Sequence, residues 1–100
     1  MAVFVALTSY QKKVLVDFSK VSKVEPTQDG EYSHEYIFYM DGTSFHYTLS
    51  GAVEVQIFFE AVFELAKRED WELLLEEEDF CNLINQIAKL KAILLENNHD

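Results

Sequence analysis

Glycine and proline are scarce in this chain, three and one in 100 residues. Beside 49% hydrophobic and 14% aromatic content, that scarcity excludes low complexity and long disorder. There is one cysteine, Cys81, so no internal disulfide can form and nothing calls for an oxidising compartment. No run approaches the roughly 18 apolar residues that a bilayer span needs. Residues 1–8 have no basic n-region and only a short apolar run, so they do not read as a secretory signal. The expected location is the cytoplasm. Positive charge is scarce as well: 8 Lys and Arg stand against 18 Asp and Glu, a formal charge of −10. Phosphates of nucleic acid and anionic lipid surfaces would repel such a chain, so neither is an expected direct partner.

What is present suits a single domain over residues 1–100. A net negative charge is explained plainly by solubility. The charge is uneven, however: residues 1–50 carry 4 basic and 6 acidic groups, residues 51–100 carry 4 and 12. That asymmetry points to an acidic interaction face.

Residues 2–8 are β-branched and aromatic and read as a strand. Residues 11–13 read as a polar turn, 14–16 and 21–24 as short extended pieces, and 26–30 as a loop punctuated by Pro, Asp and Gly. Asp41-Gly42, between the β-rich runs 34–40 and 43–49, predicts a hairpin, because a type I′ turn needs positive φ at both positions. A two-residue turn fixes register. Tyr36 then faces Tyr47 and Phe38 faces Phe45, with Met40 and Leu49 on the same side. The other side carries Glu35, Ile37, Tyr39, His46 and Thr48. Ser50 is the expected N-cap of a helix over about 52–68. Its stripe is Val55, Phe58, Phe59, Val62 and Ala66, widened by Ile57, Phe63 and Leu65, with Glu64 and Arg68 as a surface pair. A second helix is expected over about 79–96, where Phe80, Leu83, Ile87, Leu90 and Leu94 recur at heptad spacing. The expected cover for this seam is the first helix, with homodimerisation as the alternative. The connector 69–78 reads as a short helix or an extended bridge. The fold class that follows is α+β: a small antiparallel sheet, made of the N-terminal strands and the hairpin at 34–49, packed against two C-terminal helices.

Motifs for chemistry are sparse. There is no CxxC, no HxxxH and no His–carboxylate pair at ligand spacing within a helix, so no metal or cofactor is expected. His34 and His46 fall on opposite faces of the expected hairpin. Cys81 opens the second helix, where the dipole would lower a thiol pKa, but the four carboxylates just before it oppose a thiolate; it reads as a structural, partly buried residue. No serine sits in a G-x-S-x-G elbow and no glycine-rich phosphate loop occurs. The expectation is a binding protein and not an enzyme; an enzymatic reading would rest on the Glu35, Tyr39 and His46 face.

The remaining signal is acidic. Glu69, Asp70, Glu72, Glu76, Glu77, Glu78 and Asp79 place seven carboxylates within eleven residues. They read as a solvated face that favours the next helix N-terminus. Alternatively they act as phosphate decoys for a basic groove. Trp71 among them reads as a core plug or an aromatic anchor.

Three runs, Tyr36-Ile-Phe-Tyr-Met-Asp-Gly, Trp71-Glu-Leu and Glu76-Glu-Glu-Asp-Phe80, carry a resemblance. Over residues 36–91 the chain resembles small acidic phage anti-CRISPR proteins, which inhibit the RNA-guided nuclease of type II systems. The resemblance implies a DNA mimic that blocks the arginine-lined site reading the PAM duplex, in a host cytoplasm. It assigns Asp41, Gly42, Glu76, Glu77, Glu78 and Asp79 to the partner contact. The strand-rich region ahead of the hairpin stands where that family has a helix and loop. The expected function is therefore an inhibitor whose acidic surface occupies a basic cleft of a host defence nuclease. The alternative is a protein-interaction or assembly subunit, homodimeric through the C-terminal helix.

Overall fold

The computed structural model describes residues 3–68 and 73–97. The chain opens with β1 (Val3–Ser9) and β2 (Lys12–Asp17), then a short 3-10 helix (Phe18–Lys20). Next come β3 (Val21–Pro26), β4 (Tyr32–Met40), β5 (Thr43–Glu54), α1 (Val55–Ala66), β6 (Leu73–Glu76) and α2 (Glu77–Asn97). This is the expected α+β class, and its strands are distributed over two three-stranded sheets, ordered β2-β1-β6 and β3-β4-β5. The second is antiparallel throughout; the first is mixed, because β6 runs parallel to β1.

The Asp41-Gly42 hairpin forms with the expected register, Tyr36 opposite Tyr47 and Phe38 opposite Phe45. Asp41 and Gly42 both take positive φ, 41° and 80°. A second turn of this kind joins β1 to β2 at Tyr10 and Gln11, with φ of 49° and 66°. The expected turn at 11–13 is corrected accordingly: Lys12 and Lys13 are already in the ladder, paired with Ser9 and Thr8. The loop after β3 starts later than expected, since Pro26 still pairs with Tyr36.

The largest departure is at Ser50. It caps no helix; β5 continues to Glu54 by re-pairing Val53 with Ser33 and Glu54 with Tyr32, after a bulge that loops out residues 49–52 opposite His34. Val53 is β-branched and fits a strand better than a helix start. The helix begins at Val55, with Glu54 as N-cap and no side-chain cap. Instead the Val55 N–H donates to the Glu31 carbonyl at 2.9 Å, which places the helix start through the preceding loop.

Phe58 of α1 sits where the layers meet. Its ring stacks on Tyr36 at 3.7 Å and meets Phe38, Phe80 and Tyr47 at 5.8, 5.7 and 6.4 Å. Phe18, from the 3-10 helix, touches Phe38 and Phe80. This ring cluster ties β4, β5, α1 and α2 to the inner residues of β1, Val3, Val5 and Leu7. The sheets also touch at one edge, where the Ser9 hydroxyl donates to the His46 carbonyl at 2.5 Å.

Candidate interaction surface

Of the connector at 69–78, Leu73–Glu76 is extended as β6 and Glu77 already opens α2. Leu73 and Leu75 face inward beside Val3 and Val5, while Leu74 and Glu76 face out. The pairing fixes Glu76, and Glu77, Glu78 and Asp79 follow on the first turn of α2. Three of them make local contacts. The Glu76 carboxylate lies 2.9 Å from the Lys13 ammonium, and Glu77 accepts from the Thr8 hydroxyl at 2.8 Å. Asp79 accepts from the Glu76 backbone N–H at 3.2 Å, satisfying a donor just ahead of the helix. Glu78 is exposed. Asp41 and Gly42 lie at the hairpin tip, in the other sheet. Glu69, Asp70, Trp71 and Glu72 lie outside the described residues.

Other carboxylates are spread over the molecule. Glu54, Glu60 and Glu31 act together on Lys91, whose ammonium is held above its ordinary pKa, first by a 2.5 Å hydrogen bond to Glu54. Glu25 accepts from the Tyr39 hydroxyl at 2.5 Å and is bridged by Lys23 at 3.1 Å. The Tyr39 hydrogen bond, with Lys23 adding to it, holds the Glu25 carboxyl below its usual range and pushes the phenol up. Glu64 pairs with Lys67, one turn away, at 2.7 Å.

The hairpin face carries a pair between Glu35 and the His46 Nδ1 at 3.1 Å, beneath the Tyr10 ring. Tyr39 is engaged separately with Glu25, so the three residues do not form one constellation. Cys81 is half-buried, its sulfur 3.8 Å from the Tyr47 hydroxyl. Among the described residues no three His, Cys, Asp or Glu side chains are gathered closely enough to hold a metal ion. No helix among them is long and apolar enough to cross a membrane.

The feature that stands out is apolar. α2 packs through Phe80 and Ile84, both buried, with Leu83 and Ile87 half-buried. The expectation that α1 covers the whole seam is corrected at Leu90 and Leu94, which are 61% and 62% exposed. Ile93 and Leu95 are 51% and 61% exposed. The physical reason is length. α1 has 12 residues and α2 has 21, and Lys91 already reaches Glu54, the residue ahead of α1. Every residue from 92 to 96 is exposed. Phe63, expected to widen the α1 core stripe, is instead 65% exposed. It borders a groove of about 360 Å³ between the helices, lined by Glu60, Phe63, Glu64, Leu83, Gln86, Ile87 and Leu90. Heptad spacing marks both Leu90 and Leu94; Leu90 borders the groove beside α1, and Leu94 lies past the start of α1, where Lys91 meets Glu54.

No protein-family model, curated protein or solved structure matches the chain.

Proposed function

We propose that this protein is a protein-interaction or assembly module, whose contact surface is the far end of α2 with the adjoining α1–α2 groove. One observation carries the reading. Leu90, Ile93, Leu94 and Leu95 are each more than half exposed on a helix whose other half is anchored in the core. Scattered exposed leucines are ordinary, but four large apolar side chains exposed within six residues of one helix, with Phe63 exposed beside Leu90 in the groove, mark a contact surface. Fully burying such a side chain contributes about 1.5–3 kcal/mol, so covering the exposed part of these four and Phe63 is worth roughly 6 kcal/mol per chain. Replacing Leu90 and Leu94 together by Glu tests the surface, because neither change disturbs a buried residue. The wild-type protein is expected to bind an apolar fluorescent dye and to be retained on a phenyl matrix. The double variant should lose both properties; equal retention of the two proteins would refute the reading.

A second reading has its own support. Pairing of β6 with β1 fixes Glu76, and Glu77, Glu78 and Asp79 follow it on the first turn of α2, a rigid setting of the kind a DNA-mimicking inhibitor of a basic nuclease cleft requires. Such an inhibitor would compete with the PAM duplex for a type II CRISPR nuclease, and competition would weaken with salt. Neutralising all four carboxylates (E76Q, E77Q, E78Q and D79N) should abolish competition. Undiminished competition by that variant would discard the decoy.

A further inference from the structure

We propose that the partner of this surface is a second copy of the same chain, the projecting end of α2 from each protomer lying in the α1–α2 groove of the other. The inference rests on the reading of that end as a contact surface and supplies its occupant.

The projection itself comes first. Residues 92–97 extend α2 by about 9 Å, at 1.5 Å per residue, past the point where Lys91 meets Glu54. Ile93, Leu94 and Leu95 are consecutive, so at 3.6 residues per turn they spread over roughly 200° of the helix circumference. A flat surface covers one side of a helix. Enclosing all three takes a concave receiver, and a cleft between two helices is one.

This chain carries such a receiver. The groove is partly open and lined by apolar Phe63, Leu83, Ile87 and Leu90, with Glu60, Glu64 and Gln86 among them. Leu90 belongs to the groove and begins the projecting apolar cluster, so knob and hole share one continuous surface. Continuity is what a two-fold requires: one rotation seats each end in the opposite groove, and the interface closes without leaving a free site. The outcome is a four-helix arrangement, α1 and α2 from each protomer.

Charge is compatible with this pairing. Lys89 is exposed one turn before Ile93 and would approach Glu60 and Glu64 of the second copy's groove. The acidic group at residues 76–79 begins the same helix. From Glu77 to Leu94 is about 26 Å along the axis, several times the ~8 Å over which charges act at physiological salt. Those four carboxylates therefore do not oppose contact at the other end, where Lys89 is set against the exposed Glu96 and the groove's Glu60 and Glu64.

Sedimentation velocity across a wide concentration range tests the proposal, using the full chain, the end variant Leu94→Glu and the groove variant Phe63→Glu. Both substituted residues are mostly exposed, and circular dichroism with thermal unfolding confirms that the variants fold. The wild type is expected to shift reversibly from monomer to dimer, and each variant to weaken dimerisation at least about tenfold, the equivalent of 1.4 kcal/mol. An equimolar mixture of the two variants should associate more tightly than either alone, because one intact end then meets one intact groove. A dimer that tolerates Phe63→Glu, or a mixture no tighter than its components, overturns the end-in-groove geometry. A wild type that stays monomeric at every concentration overturns the second copy as partner. In that event, dye binding that Leu94→Glu abolishes would leave the contact surface standing with a different protein as occupant. A monomer whose dye binding ignores Leu94→Glu would remove both.

Discussion

Two positions on α2 separate the part of the helix that holds the fold from the part that serves another purpose. Ile84 is 2% exposed within the core, whereas Leu94 is 62% exposed beyond the end of α1. Truncating a buried isoleucine to alanine costs about 2–5 kcal/mol, from lost transfer energy and the cavity left behind. For Leu94→Ala only the covered third of the side chain is lost, under about 1 kcal/mol of the 1.5–3 for full burial. The better helix propensity of alanine offsets part of that. Urea unfolding followed by far-UV circular dichroism at low protein concentration measures both. Ile84→Ala should lower the midpoint sharply, and Leu94→Ala should barely move it. At high concentration the ranking changes in one respect: association stabilises the wild type by mass action, and Leu94→Ala should forgo that gain. If Leu94→Ala in dilute solution costs as much as Ile84→Ala, the end of α2 is ordinary core and the reasoning fails.

Three further outcomes are expected. Burial pushes the Tyr36 hydroxyl up to about 12 and raises Tyr47 as well. Since both folded values lie above the unfolded one, their contribution is complete below about pH 10 and is lost as pH climbs towards the folded values. The slope approaches about 1.4 kcal/mol per pH unit for each tyrosine. Tyr36→Phe should therefore lessen the slope, to which Tyr39 and Lys91, also raised, contribute as well, and a wild-type stability that stays flat up to pH 11 would contradict the assignment. Gly42→Ala places a Cβ in open space but at a φ of 80°, so backbone strain alone should cost about 1–2 kcal/mol; a neutral result in chemical denaturation would show that the turn does not need the left-handed conformation. Phe58→Ala removes the ring shared by Tyr36, Phe38, Tyr47 and Phe80 and should cost about 3–5 kcal/mol, a loss that calorimetry would report as a large fall in Tm.

The sequence was most legible where local chemistry and tertiary structure agree. Asp41-Gly42 announced both hairpin and register, because its backbone preference and the alternation of the flanking aromatics point the same way. The same turn geometry at Tyr10 and Gln11 was invisible: neither residue favours positive φ, and strand pairing on both sides imposes it. Ser50 was misread because a good N-capping residue ahead of an apolar run resembles a helix start, while the distant partners Ser33 and Tyr32 decided for strand. Leu73, Leu74 and Leu75 have helical propensity and became β6 only because β1 offered an edge, a long-range fact no local pattern holds. The acidic run was plain in the sequence. Its contacts with Lys13, Thr8 and the Glu76 amide were not, since they depend on β1, β2 and the start of α2 meeting. At the apolar end of α2, heptad spacing marked Leu90 and Leu94 but not Ile93 and Leu95, which lie off that seam, and the shortness of α1 set where the cover stops.

Amide hydrogen exchange along α2, measured at low and at high protein concentration, addresses the exposed helix end most directly. Protection over residues 87–96 is predicted to rise with concentration while the anchored turn around Phe80 and Ile84 changes little. Exchange in those last turns that is the same at both concentrations would contradict a second copy seated there.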